Sequence, residues 1–284
     1  MARILACTDG SIYAGSVIDH AAWAAARLGG AAVRVLHVLD RTPVEPPADR
    51  SGALGFDTSA ELLRELADLD EARGKLALKR GRDLLAAAGQ RLREAGVAEV
   101  STVQRHGSLV DTVLEFEAEA DLLVIGKRGE AADFAVGHLG ANLERVLRSS
   151  MRPVLVASRA FRPIGRYAIA YDGSPFAARM VQQVAASAAL DGLEGDLVMV
   201  APPGTANGDA LEAPAGILAR AGRPVRPVLL RGETEPAISG HVAAAGIDLL
   251  VMGAYGHGRI RTMILGSTTT SLLRSCRIPV LVFR

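Results

Sequence analysis

The sequence predicts an α/β protein made of two repeated, open, mostly parallel five-stranded sheets with helices on both faces. Three observations predict it. Short apolar runs alternate with amphipathic stretches along the 284 residues, as in a parallel sheet covered on both sides. The series of runs occurs twice. Corresponding runs end alike, in Asp-Gly-Ser at residues 9–11 and 172–174 and in Val-Leu-Val at 154–156 and 280–282.

In order, Arg3 to Ser11 and Tyr167 to Ser174 each read as an apolar strand ending in Asp-Gly-Ser. A helical pattern follows each, Ser11 to Leu28 before Gly29-Gly30 and Ser174 to Leu190 before Gly192. Serine at the N-cap, Pro175 at the first helical position and glycine past the end are the expected punctuation. Second strands are expected at Ala32 to Leu39 and Asp196 to Val200, and third strands at Val100 to Gln104 and Pro224 to Leu230. Helices follow at Leu109 to Ala118 and Glu235 to Ala245. The fourth strands end in Leu-Leu-Val-Ile-Gly at 122–126 and Leu-Leu-Val-Met-Gly at 249–253. A linker near Ser158 to Gly165 divides the chain into residues 1–160 and 161–284.

The copies differ after the second strand, where the first is longer. Arg41 to Phe56 carries three prolines and reads as a loop. Thr58 with Glu61 reads as a capping box opening a leucine-rich helix to Ala95, bent or broken near Gly74 or Gly81. Its plain reading is a helix packed on the sheet with a solvated outer face; the alternative is a partner-binding arm.

Hydrophobic content of 49% allows sizeable cores, and a net charge of +1 implies no bulk attraction to nucleic acid. No apolar run is long enough for a membrane span. The first residues lack a signal-peptide cleavage pattern, so a cytoplasmic protein is expected. Cys7 and Cys276 sit in apolar runs and read as reduced core residues.

The stretch from Asp248 to Thr269 carries the chemistry. A buried strand breaks into glycines at Gly253, Gly256 and Gly258, and Gly266-Ser267-Thr268-Thr269 then opens a helix. Glycines let backbone approach a ligand closely, and a helix start offers free N–H groups that suit phosphate. Ligands of open α/β sheets sit beyond the carboxyl ends of the strands, where Asp172, Val200 and Gly253 fall. Asp172 can accept from a ribose hydroxyl or adenine amine. Gly253 and Gly256 can pass ribose and phosphate, and Ser267, Thr268 and Thr269 can take phosphates. His257 can reach a phosphate or stay solvated, and Arg259 and Arg261 can pair with a triphosphate or stay solvated. Asp9 and Asp172 can hold Mg²⁺ or simply cap their turns. There is no Walker A sequence, the glycine order is wrong for a dinucleotide fingerprint, and no H-E-x-x-H, C-x-x-C or G-x-S-x-G occurs. His37 reads as a satisfied sheet histidine.

On these motifs the chain resembles the universal stress protein family in its tandem form, over nearly its whole length. ATP-binding members carry G-x-x-G, nine residues, then G-[ST]; Gly253, Gly256, Gly266 and Ser267 match in full. The resemblance implies two nucleotide alpha-hydrolase-like sheets paired through their last strands, Val154 to Ala157 against Val280 to Phe283. It implies ATP, with or without Mg²⁺, as the cofactor. Asp172 would meet the adenosine, Val200 the adenine through its backbone, and Met252 would pack nearby; Ser267 and Thr269 would bind phosphate. In the first copy ten residues separate Gly129 from Gly140, and Ala141, Asn142 and Leu143 replace the hydroxyls. That site is expected to bind ATP weakly or not at all; Lys127 and Arg128 can supply charge there, but read rather as solvated loop residues. Three functions stand: a nucleotide-responsive stress or signalling protein, a weak ATP-hydrolysing or AMP-forming enzyme, and a nucleotide-free interaction module. The expected assembly is an intrachain pseudo-dimer, with a homodimer of chains left open.

Overall fold

A computed structural model describes residues 1–39, 56–128, 139–201, 208–254 and 265–284. The first half runs β1 (Arg3–Cys7), α1 (Ala14–Arg27), β2 (Ala32–Leu39), α2 (Phe56–Glu94), β3 (Val100–His106), α3 (Leu109–Glu117), β4 (Leu122–Gly126), α4 (Ala141–Ser149) and β5 (Val154–Ala157). The second runs β6 (Arg166–Ala170), α5 (Pro175–Ala186), β7 (Glu194–Ala201), α6 (Glu212–Arg220), β8 (Val225–Arg231), α7 (Thr234–Ala244), β9 (Leu249–Gly253), α8 (Ser267–Ser275) and β10 (Val280–Phe283), with short 3-10 turns beside α5 and α6.

The strands form one ten-stranded sheet in the order β3-β2-β1-β4-β5-β10-β9-β6-β7-β8. Its ladders are parallel within each half. The halves meet antiparallel, with Val280 opposite Val156 and Val282 opposite Val154. Two apolar edges that would invite foreign strands are thereby consumed. Strand residues alternate between two cores. Ile4, Ala6, Val33 and Val35 belong to one core, shared with residues of α1, α2, α5 and α6. Leu5, Cys7, Leu36 and Ile125 belong to the other, shared with residues of α3, α4, α7 and α8. Burial on both faces explains why the strands read as continuous apolar runs.

Three expectations at the element boundaries change and one holds. Ser11 does not cap α1: it accepts from the Tyr13 N–H at 3.2 Å in a turn, and the helix starts at Ala14 with Tyr13 at the N-cap. Its counterpart Ser174 does cap α5, accepting from the Ala177 N–H at 3.1 Å ahead of Pro175. The helix does not open at Thr58, because α2 already begins at Phe56. Nor does α2 break: it is one helix of 39 residues passing through Gly74 and Gly81. At Gly81 a Cβ would fall 2.2 Å from Gln104 Nε2 and 2.7 Å from His37 Cδ2. Glycine there lets α2 lie tight against the sheet, which outweighs its helix cost of about 1 kcal/mol.

Candidate functional site

In the second half β6 lies between β9 and β7. Chain direction diverges there, so a crevice opens beyond the carboxyl ends of these strands. Each end is shaped locally. After β6, Asp172 Oδ1 accepts from the Ser174 N–H at 2.9 Å, and Gly173 takes φ +79°, a conformation glycine adopts without strain. Asp172 is exposed and Val200, near the end of β7, is half-buried. Met252 is buried beneath Gly253 at the end of β9.

The start of α8 is fastened to that same strand end. The Gly266 N–H donates to the Ala254 carbonyl at 3.2 Å, and Thr269 Oγ1 donates to the Gly253 carbonyl at 3.1 Å. Gly266 is the N-cap, no side chain caps the helix, and its first turn holds no acid. Ser267 and Thr268 are exposed there, whereas Thr269 is buried. Uncapped N–H groups, two exposed hydroxyls and the positive end of the helix dipole converge on one spot. The Thr269 hydroxyl instead holds the helix to the strand. Gly256, His257, Gly258, Arg259 and Arg261 lie outside the described residues, as does Gly129.

The first half repeats the frame with different chemistry. Asp9 Oδ1 accepts from the Ser11 N–H at 3.0 Å, and Gly10 takes φ +78°. The Gly140 N–H donates to the Lys127 carbonyl at 3.3 Å, matching Gly266 and Ala254. The first turn of α4, however, carries Glu144, where α8 has Thr270. A carboxylate at a helix start competes with a bound phosphate for the same positive potential. Leu84 of α2 also packs at Gly10, 2.7 Å from where a Cβ would lie, whereas Gly173 meets only Met199 Cε at 3.5 Å.

Lys127 is not a solvated loop residue. It is buried, and its ammonium donates to the Cys276 carbonyl at the C-terminus of α8. Burial lowers its pKa from 10.5 to about 8, despite some opposition from the neighbouring Cys276. No sequence signal marked this contact, since it depends on the two halves being side by side. A second polar cluster also went unread. Buried Asp196 on β7 accepts from Arg226 Nε at 3.0 Å and Nη2 at 2.9 Å, and contacts His241 Nε2 at 2.8 Å. A carboxylate inside an apolar strand needs such partners, and that was the available signal.

His37 is satisfied as expected, with Nδ1 2.9 Å from the Thr8 carbonyl. Both cysteines are buried and free. Among the described residues no three His, Cys, Asp or Glu side chains gather to hold a metal, and no helix is long and apolar enough to cross a membrane. A cleft of about 430 Å³ opens at the opposite, amino end of the first-half strands. Its Arg34 and Glu119 pair with each other at 3.0 Å, and it has no connection to the crevice.

The family model described as the universal stress protein family matches residues 1–158 and again 164–284. A universal stress protein of Synechocystis sp. is 40% identical over 292 residues, covering 100% of both chains. One from Mycobacterium tuberculosis is 29% identical over 72% of this chain and 77% of its own. The fold is similar to that of a universal stress protein from Archaeoglobus fulgidus, with a TM-score of 0.74 over 99% of this chain and 98% of that one at 22% identity. With the family matched twice along one ten-stranded sheet, and a full-length relative at this identity, the chain belongs to the universal stress protein family.

Proposed function

We propose that this chain is an ATP-binding universal stress protein whose second half alone holds the nucleotide, and that it acts as a nucleotide-responsive stress or signalling protein. The observation that supports this reading is the uncapped start of α8, with exposed Ser267 and Thr268, fastened beside the end of β9. In this reading the phosphates sit on that helix start. Asp172 accepts from the ribose or adenine, the Val200 backbone meets the adenine, and Met252 floors the pocket. Gly253, Gly256, Gly258 and Gly266 give the loop its close approach, and His257 lies within it. Thr269 keeps the helix in place. Occupancy would stabilise the second half by mass action, which is how a binding protein reports nucleotide.

The experiment is mass spectrometry of small molecules released from freshly purified protein, for the native chain and for Ser267→Ala/Thr268→Ala. ATP from the first and its loss from the second support the reading. Native protein that carries none, and takes none up when ATP is added, contradicts it. An enzymatic reading has less support: among the described residues no acid or histidine stands in the first turn of α8. Phosphate or AMP release abolished by His257→Ala would favour it.

A further inference from the structure

The first half of α2 leaves the sheet. From Gly81 to Leu92 the helix is anchored, with Leu85, Ala88 and Leu92 buried. From Arg64 to Arg80 every residue is exposed except the half-buried Asp70 and Ala77. These 17 residues make a rod roughly 25 Å long at 1.5 Å per residue. The second half has only α6 in this place, nine residues long. The insertion therefore lengthens a helix that the fold already has.

Two features of the rod have no use in a solitary helix packed on a sheet. Leu66, Leu69 and Leu76 are 36%, 54% and 58% exposed. Their spacing of three and seven residues places them on one stripe, more than a third of a turn from the face that Leu85 and Leu92 bury at roughly 100° per residue. The charges are also largely segregated along the axis. After Arg64 come Glu65, Asp68, Asp70 and Glu71, and Arg73, Lys75, Lys79 and Arg80 follow. Pairs such as Glu71 with Lys75, at 2.7 Å, bridge the junction within one helix, but such exposed pairs contribute little. They leave the leucine stripe uncovered.

We propose that two copies of this chain associate through these projecting segments, antiparallel, about a two-fold axis near Ala72. In that arrangement the leucine stripes cover each other, and the acidic run of each copy faces the basic run of the other. A parallel pairing would set acid against acid and base against base. A two-fold contact needs a surface complementary to itself, and a helix acidic in one half and basic in the other, with an apolar stripe, provides one.

The test is the mass of the full-length protein by sedimentation equilibrium. The proposal expects a dimer that weakens in high salt and falls to half its mass in Leu69→Glu/Leu76→Glu, with helix content unchanged by circular dichroism. A native monomer at all concentrations overturns it, as does a dimer that survives the double substitution. Two charge variants guard against a folding artefact: one with the four acids changed to Lys, one with Arg73, Lys75 and Lys79 changed to Glu. Each should be monomeric alone, and mixing them should restore a dimer; failure to restore it counts against the proposal. Direction is read by oxidation. Ala72→Cys should form an interchain disulfide and Arg64→Cys should not, and equal crosslinking of both overturns the antiparallel arrangement.

Discussion

The Lys127 ammonium of the first half donates to the Cys276 main-chain carbonyl of the second, at the C-terminus of the helix whose other end is the candidate phosphate site. A buried cation at a helix C-terminus satisfies a terminal carbonyl and complements the dipole. Its counterpart in the second half is Ala254, so the strap runs in one direction only. Burial lowers the Lys127 pKa to about 8. The unfolded chain holds that proton to about 10.5, so between these values it binds more protons than the folded one, and stability rises with pH. Buried Cys7 and Tyr167, each pushed up to about 12, act oppositely. The comparison is therefore with Lys127→Met. Native stability should gain on the variant from about pH 8 to 10, by at most about 1.4 kcal/mol per unit. Parallel denaturant-melt curves would refute the buried strap.

Asp196 should dominate the acid stability of the second half. Burial alone would raise its carboxyl, but hydrogen bonds from Arg226 and His241 outweigh that and hold it below the usual range. A depressed carboxyl contributes its full stability above the unfolded pKa of about 4 and loses it as pH falls through the folded value. Asp196→Ala also leaves the largely buried His241 without its partner and should cost about 2–3 kcal/mol at pH 7. Urea melts at pH 7 and pH 3 check both: the deficit of the variant should shrink in acid.

Gly81 permits the close contact between α2 and the sheet. A leucine there must displace Gln104 and the His37 ring, whose Nδ1 is engaged with Thr8. Gly81→Leu should cost about 2 kcal/mol through overpacking, whereas Gly74→Leu, with nothing near its Cβ, should be neutral or stabilising. Thermal melts of the two variants give the comparison, and equal shifts would contradict the account.

The two kinds of hydroxyl at the start of α8 should separate cleanly. Thr269→Val removes the bond to the Gly253 carbonyl and should lower stability by about 1 kcal/mol. Ser267→Ala/Thr268→Ala removes exposed hydroxyls, so stability should hold while ATP binding weakens by about tenfold or more. Calorimetry and melts on both variants decide this, and a loss of stability without loss of affinity in the second would reverse the assignment.

Much of the fold was legible because it is repeated and locally written. The apolar strands, the Asp-Gly-Ser turns and the Gly-Ser-Thr start of α8 each announce themselves within a few residues. The pairing of β5 with β10 followed from the family resemblance. What escaped depended on distant partners. The continuity of α2 through Gly81 is decided by Gln104 and His37, not by helix propensity. Ser11 and Ser174 stand in the same sequence word, yet only Ser174 caps a helix, since Pro175 starts one there. Lys127 looked like a loop charge because its acceptor lies in the other half. At the site, Thr269 reads as a phosphate ligand until its bond to Gly253 is seen, and Glu144 becomes informative only once α4 and α8 are superposed.

The central claim is that one half binds ATP and the other does not. Isothermal titration of ATP into the full-length protein tests it most directly. The account predicts one site per chain, removed by Ser267→Ala/Thr268→Ala and indifferent to Asn142→Ala. Two equivalent tight sites, or one that survives the changes in α8, would contradict it.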